Sequence, residues 1–149
     1  MASGMAEPTI DPASEPQPLD QPIVFYDGAC GLCDRFVQFV LRHDRDGRFR
    51  FAPLQGETFA AYRPRVDAAD LSTMVLVDEA GLHTRSTAAL RVVRSLGGLW
   101  GPIGRLGLLL PRPLRDLGYR AVARVRHRLF PPPSSCRRPD PAHRPRFLP

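Results

Sequence analysis

A short segment near the N-terminus, VFYDGACGLCDRF at residues 24–36, constrains the fold of this chain more than any other. Residues 23–26 are apolar, β-branched or aromatic, which predicts a buried strand that ends at Asp27-Gly28. From Gly31 to about Arg42 the apolar side chains recur at three- and four-residue steps, which predicts a helix with one buried face. Two cysteines, Cys30 and Cys33, therefore lie where the first strand gives way to the first helix.

The remaining pattern predicts a thioredoxin-like α/β fold. Alternation in RFRFA predicts a strand with Phe49 and Phe51 facing inward, as expected at a sheet edge. The other predicted elements are a short helix at 57–62 that Pro64 ends, strands at 73–78 and 82–85, a helix at 86–96 with Ser86 as its N-cap, and an amphipathic helix at 113–129. The order β-α-β, helix, β-β-α predicts a small mixed β-sheet flanked by helices, with an extra C-terminal helical region. That fold places its active site at a Cys-x-x-Cys between the first strand and the first helix.

The 149 residues fit one domain between two tails. Residues 1–21 are acidic and proline-rich, and residues 131–149 begin with three prolines and continue rich in proline and arginine. Both ends predict loosely ordered tails. We therefore assign a core domain to residues 22–130.

Charge is distributed unevenly along the chain. The net charge is +6 with no lysine, and residues 99–149 hold eleven arginines and two acidic residues. Such asymmetry can indicate a membrane surface, a nucleic acid or an acidic protein as partner, but arginine is used throughout and no nucleic-acid-binding motif accompanies it. We expect no nucleic-acid partner. The apolar positions of the last helix, Leu114, Leu117, Ala121, Val125 and Leu129, are expected to pack on the core while the arginines reach water.

No targeting or membrane-spanning segment is predicted. The N-terminus lacks the basic and apolar regions of a secretory signal, and its acidity argues against a mitochondrial presequence. The apolar stretch at 99–111 contains Arg105 and is shorter than the ~20 residues of a spanning helix. The expected location is the cytoplasm, where thiols stay reduced, which argues against a permanent structural disulfide.

Position predicts different roles for the two cysteines. Cys30 stands at the mouth of the helix, where the macrodipole favours a thiolate, and we expect it to be exposed and to attack a substrate disulfide. Its expected pKa lies in the range of about 3.5 to 7.5 that activated cysteines show. Cys33 lies one turn inside the helix; we expect it to be more buried and to resolve the mixed disulfide.

Two other interpretations of the cysteine pair stay open. A structural zinc site needs about four ligands. Cys136 and the histidines His43, His83, His127 and His143 offer no second pair at ligand spacing. We predict no metal and no cofactor. The pair could also be idle thiols on a retained scaffold, and Cys136 is expected to be a bystander or an anchor of the C-terminal tail.

Residues around the cysteines complete the predicted site. Asp27 could cap the turn before Cys30, accept a proton from Cys33, or serve only as a turn aspartate. Gly31 keeps the approach to sulfur open, and Leu32 adds no charge there. Tyr26 either lines the site or belongs to the core.

Beyond the residue patterns, the chain resembles the DCC family of predicted thiol-disulfide oxidoreductases. YDGACGLC carries the family signature Asp-x-x-Cys-x-x-Cys at Asp27, Cys30 and Cys33, and later blocks match in order over residues 22–148. These blocks are FRFAPLQ, RSTAALRVVRSLGG, LPRPLRDLGYRAVARVRHRLF, and a final group of Cys136, Pro139 and RFL at 146–148. The resemblance implies a thioredoxin-like fold and protein-disulfide reductase activity.

One position departs from ordinary thioredoxins, which carry a cis-proline before the third strand. Here that place reads Leu71-Ser72-Thr73, so we expect a trans peptide with Thr73 near the sulfurs as a substrate-binding residue. Two functions remain. One is an oxidoreductase, expected to be monomeric, that acts on a disulfide-containing protein or small thiol with an unidentified electron donor and in an unassigned direction. The other is a non-catalytic binding module on a thioredoxin-like scaffold with a basic docking surface.

Overall fold

The computed structural model describes residues 21–28, 30–66, 73–129 and 141–149. The elements follow in the order β1 (Ile23–Tyr26), α1 (Gly31–His43), β2 (Arg50–Pro53), α2 (Glu57–Ala60), a 3-10 turn (Arg63–Arg65), β3 (Val75–Asp78), β4 (Gly81–Thr84), α3 (Arg85–Ser95), α4 (Trp100–Leu109), α5 (Arg112–Leu129) and a final 3-10 turn (Arg144–Arg146). Residues 1–20 of the predicted N-terminal tail and Cys136 lie outside these residues.

The strands form one mixed sheet in the order β2-β1-β3-β4. β1 runs parallel to β2, joined by α1, and antiparallel to β3, which forms a hairpin with β4. This architecture of mixed sheet and helices confirms the predicted α/β class and is consistent with a thioredoxin-like fold.

Each face of the sheet carries its own core. Val24, Phe51 and Leu76 point to one face, where they pack against Val40 of α1 and Val92 of α3. Ile23, Phe25, Ala52, Val75 and Val77 point to the other face and pack against Phe59 of α2 and Tyr62. The alternation along each strand therefore separates the two cores, as the pleat requires.

Several boundaries differ from the sequence predictions. Helix α3 begins at Arg85, and its N-cap is Thr84 rather than Ser86. Ser86 is already inside the helix and donates from Oγ to Asp116 Oδ1 of α5 at 2.6 Å. Pro64 lies within the 3-10 turn after α2 instead of ending that helix. Ser86, a residue type that often caps helices, thus makes a tertiary hydrogen bond instead. The local sequence pattern does not reveal such a partner in a distant helix.

The apolar stretch at 99–111 contains a helix, α4, that packs on α3 through glycines. Gly101 and Gly104 are buried, and a Cβ on Gly104 would lie 2.4 Å from the backbone nitrogen of Arg94. Three large apolar residues of α4, Ile103, Leu106 and Leu109, are exposed, and Leu109 is 81% exposed.

Helix α5 presents a different face to the protein from the one expected. Leu114, Leu117, Val125 and Leu129 are exposed, so the prediction that this stripe covers the core is wrong. The partly buried face instead carries Arg115, Asp116, Tyr119, Ala123 and Arg126. Polar contacts with α3 decide this orientation: Arg115 donates to Thr87 Oγ1 at 3.3 Å, beside the bond between Ser86 and Asp116.

The last residues of the chain are ordered against the sheet, whereas the sequence predicted a loose tail from 131 onward. Phe147 pairs with Phe51 of β2, and the Leu148 amide donates to the Phe51 carbonyl at 2.7 Å. The Arg146 guanidinium forms an ion pair with the buried carboxylate of Asp44. These contacts occupy part of the open edge of β2. The division into domains stays a prediction.

Candidate active site

The two cysteines lie at the junction of β1 and α1, as their spacing predicted. The Cys30 amide donates to the Asp27 carbonyl at 3.1 Å, which closes the turn, and the Cys30 carbonyl accepts from the Asp34 amide as the first bond of α1. Cys30 is the N-cap residue, with extended backbone (φ −99°, ψ 120°), and Gly31 is the first helical residue. Cys33 follows one turn into the helix.

Both cysteines are free thiols and both are buried. Cys30 is 1% exposed and Cys33 6%, so the expectation that Cys30 is the exposed member of the pair is wrong. Helix α5 packs against α1 beside the cysteine pair. Tyr119 of α5 interacts electrostatically with both sulfurs, and Arg126 interacts with that of Cys33. An N-terminal helix position is exposed only where no other element packs over it.

The environment of Cys33 holds this thiol in its protonated form. Burial first, and then the negative charge and hydrogen bond of Cys30, raise the pKa of Cys33 to about 12. Hydrogen bonding from the Asp27 backbone and the charge of Arg126 act in the opposite direction. The mutual hydrogen bond shows that the two sulfurs are close neighbours.

Asp27 contributes to the turn through its main chain. Its carbonyl accepts from Cys30, while its side-chain Oδ1 accepts from Gln55 Nε2 at 3.1 Å. The carboxylate is half-buried. Gln55 therefore orients the Asp27 carboxylate beside the cysteine turn.

A small apolar cavity of about 170 Å³ opens beside Cys33. Its walls come from α1, the start of β3, α3 and α5, and comprise Leu32, Cys33, Phe36, Met74, Ala89, Tyr119, Val122, Ala123 and Arg126. Tyr119 bridges two of these walls, because its hydroxyl accepts from the Met74 amide at 3.3 Å. Burial raises the pKa of Tyr119, although the hydrogen bond from Met74 lowers it.

Comparison with known proteins assigns this arrangement to a family. Residues 24–131 match the model of the DCC1-like thiol-disulfide oxidoreductases. The chain belongs to this family. It is 34% identical over 132 residues to the uncharacterised protein YuxK of Bacillus subtilis (strain 168), covering 85% of this chain and 93% of the relative. It is also 32% identical over 118 residues to a DCC family protein of Arabidopsis thaliana described as chloroplastic, covering 78% of this chain and 69% of the relative. No solved structure matches the chain.

Membership of the DCC1-like family supports a redox role, and the structure shows where the other predicted site residues lie. Gly31 is buried at the start of α1, and Leu32 is half-buried in the wall of the cavity. Tyr26 is half-buried, and its ring meets that of Phe147 edge-on at 6.5 Å. Burial, and then the charge of Asp34, raise the pKa of Tyr26.

Thr73 directly precedes Met74, which lines the cavity at Cys33, so the start of β3 does come close to the cysteines. Thr73 itself is half-buried. The expected trans peptide before Thr73 involves Ser72, outside the described residues, and stays a prediction. Within the described ranges no peptide bond is cis.

Four residues of this DCC1-like site were missed by the sequence analysis: Met74, Tyr119, Arg126 and Gln55. Tyr119 and Arg126 lie on the face of α5 that the hydrophobic pattern assigned to solvent. Their seven-residue spacing places them on one side of a helix, which was the only local signal. Gln55 carries no periodicity signal and entered the sequence analysis only as the last residue of the block FRFAPLQ.

The described part of this DCC1-like chain holds no group of three or more histidine, cysteine or acidic residues close enough to bind a metal ion. Over the same residues, every helix is too short or too polar to cross a bilayer.

Proposed function

We propose that the protein is a thiol-disulfide oxidoreductase of the protein-disulfide reductase type, acting through Cys30 and Cys33. The observation that carries the proposal is a pair of free, hydrogen-bonded thiols at the start of α1, of which Cys33 has a strongly raised pKa. Two adjacent thiols that differ in environment can divide attack and resolution between them.

Cys30 is the attacking residue in this proposal. Its thiolate attacks one sulfur of a substrate disulfide; a new S–S bond joins Cys30 to that sulfur, and the other substrate sulfur leaves and takes up a proton. The raised pKa keeps Cys33 protonated during this step. The helix macrodipole stabilises negative charge at the position of Cys30 rather than deeper in the helix.

Cys33 then resolves the mixed disulfide. It loses its proton, for which Asp27 is the proposed acceptor, and attacks the Cys30 sulfur, releasing the second substrate thiol. The substrate gains two electrons and two protons, and Cys30 and Cys33 become a disulfide. A thiol or dithiol donor must reduce that disulfide before the next turnover. The proposed contacts with substrate are Leu32 in the wall of the cavity, Thr73 next to the cavity-lining Met74, Tyr26 and Gly31.

Burial of Cys30 adds a step before attack. A protein disulfide reaches a sulfur that is 1% exposed only after the turn at 27–30 moves or α5 shifts away from α1. The proposed substrate is therefore a partner whose binding opens this region. We propose that the protein acts as a monomer in the cytoplasm, where reductants maintain dithiols in the reduced state.

Trapping with single variants tests the assignment, in a Cys136→Ser background so that one route to each adduct remains. Cys33→Ser should accumulate a mixed disulfide with substrate through Cys30, detected by mass spectrometry of the intact protein. Cys30→Ser should trap little and reduce nothing. The reverse pattern would exchange the two roles.

The reduction potential of the pair, measured against glutathione buffers, tests the direction of transfer. A reductase requires a potential near that of thioredoxin, about −270 mV, rather than that of DsbA, about −120 mV. If neither cysteine variant lost activity towards any disulfide, the redox proposal would fail and the binding-module function would replace it.

A further inference from the structure

The structure places its exposed large apolar side chains in one part of the chain. Among the described residues, all of them lie between Leu99 and Leu129, on α4, α5 and the segment that joins them. A monomeric protein rarely exposes so many large apolar groups from consecutive elements, and such a surface indicates an interaction site. We call it the α4–α5 surface.

Apart from the half-buried Trp100 and Leu108, helix α4 has its small residues inside and its large apolar residues outside. Gly104 faces the backbone of Arg94 in α3 and Gly107 faces the side chain of Leu90, at distances that leave no room for a Cβ. Ile103, Leu106 and Leu109 point outward at three-residue steps, and Leu106 is 69% exposed. Helices surrounded by lipid use small residues for close packing and leave leucine facing the acyl chains, because lipid does not expel apolar side chains.

Helix α5 also exposes an apolar stripe, and it adds a row of charges. Leu114, Leu117 and Val125 are exposed on one stripe, and Leu117 is 63% exposed. Arg120, Arg124 and Arg128 are exposed and follow one another at four-residue steps along one flank of that stripe. An apolar stripe bordered by arginine is the pattern of a helix that lies in a membrane interface, with guanidinium groups reaching the headgroups.

The charge of this part of the chain selects among occupants. Residues 99–129 contain seven arginines and one acidic residue, Asp116. A symmetric dimer through this surface would bring two such patches together, because an isologous contact pairs each patch with itself. A nucleic acid would neutralise the arginines but leave the leucines in water. A bilayer with anionic headgroups satisfies both groups at once.

We propose that the α4–α5 surface binds the surface of an anionic lipid membrane, with both helices lying in the interface rather than crossing it. Helix α4 is about 15 Å long, half the thickness of the hydrocarbon core. The binding does not depend on the chemistry of the cysteines. It does bring the cysteine site close to the membrane, because Val122 is part of this surface and also lines the cavity at Cys33.

Flotation with lipid vesicles tests the proposal on the full chain. The protein should float with vesicles of equal parts phosphatidylglycerol and phosphatidylcholine and remain at the bottom with pure phosphatidylcholine. Binding should weaken as the salt concentration rises from about 0.01 M to about 0.15 M, because the Debye length falls from ~30 Å to ~8 Å. Equal binding to both kinds of vesicle, or to neither, would overturn the proposal.

Two sets of variants separate the apolar and the charged contributions. Replacing Arg120, Arg124 and Arg128 by Gln should weaken binding on the order of a hundredfold. The matched control replaces the exposed Arg45, Arg63 and Arg65, which lie outside α4 and α5, and should change binding only by the small effect of net charge. Leu117→Glu should also abolish binding while leaving the far-ultraviolet circular dichroism unchanged. If the two triple variants bound anionic vesicles equally well, the arginines of the α4–α5 surface would not be responsible for membrane binding, and the proposal would fail.

Other occupants of the surface have distinct signatures. A protein that sedimented as a dimer and failed to bind vesicles would show that a second copy covers the surface, against the charge argument. Vesicle binding that appeared only after removal of residues 1–20 would show that the acidic N-terminal segment covers it. Either result would refute membrane binding by the intact chain.

Discussion

Replacing Gly104 by alanine should destabilise the protein, because α4 lies against the backbone of α3 at this residue. The added Cβ would be 2.4 Å from the Arg94 nitrogen and 2.7 Å from its Cα, and main-chain atoms cannot rotate aside. Relief to an ordinary contact requires α4 to move outward by roughly 1 Å along its length. Such overpacking costs about 1–3 kcal/mol, and the higher helix propensity of alanine returns roughly 0.5–1 kcal/mol.

The net loss is therefore about 1–2 kcal/mol, which lowers the melting temperature of a chain of this length by roughly 2–8 °C. Gly118→Ala in α5 is the matched control, because nothing lies within 4 Å of its Cβ position. That variant should melt at the same temperature as the wild type or a few degrees higher. Differential scanning fluorimetry of both variants gives the comparison. A Gly104→Ala protein as stable as the Gly118→Ala protein would refute the close packing of α4 on α3. It would also refute the placement of the α4 glycines inside and of Ile103, Leu106 and Leu109 outside.

Three further results are expected. In Cys30→Ser, the pKa of Cys33 should fall below its wild-type value of about 12 and stay above about 8.5, because the charge of Cys30 is removed and burial remains. Thiolate absorbance measures this pKa, and an unchanged pKa would contradict the contact between the two sulfurs. Burial by itself raises the pKa of Asp78, but Arg91 and His83 outweigh it and the pKa is lowered, so the stabilisation by this carboxylate is present above the unfolded pKa of roughly 3.9 and is lost as pH falls through the lower folded pKa. In Asp78→Asn, the urea concentration at the midpoint of unfolding should therefore vary less with pH over that acid range than in the wild type. Equal pH dependence in the two proteins would show that the ion pairs contribute nothing. Arg146→Ala should lower the free energy of unfolding by about 3 kcal/mol, because Asp44 then keeps a buried charge without its ion pair. The control Arg144→Ala, at an exposed residue, should change the free energy of unfolding little. Equal losses of unfolding free energy in the two variants would contradict the docking of the C-terminus.

Local sequence patterns determined the elements around the cysteines. The predicted strand at 23–26 coincides with β1, and the predicted helix begins at Gly31 as α1 does. Phe49 and Phe51 are buried while Arg48 and Arg50 are exposed, as the alternation predicted. These features could be predicted because strand and helix periodicities report which side chains leave water, and they act over a few residues.

Orientation of the helices, by contrast, was decided by tertiary packing. Hydrophobic periodicity found α5 but assigned its core face to Leu114 and Leu117, whereas Tyr119 and Arg126 are half-buried and line the cavity at Cys33. A prediction from hydrophobic periodicity assumes that the apolar side of a helix packs on the core. That assumption fails for α5, because its leucines lie on an exposed apolar surface of the protein. Cys30 is buried, although its place at a helix mouth had predicted that it would be exposed.

The sequence by itself therefore determined that two cysteines stand one turn apart where a buried strand enters a helix, in a chain of mixed α/β order. Only the tertiary structure decided which neighbours those cysteines have and how the end of the chain is held. Asp44 and Arg146 are separated by 102 residues, and each is one charged residue among many in the sequence. Contacts between distant elements depend on how their surfaces fit together. The hydrophobic periodicity of one segment does not show which distant segment will pack against it.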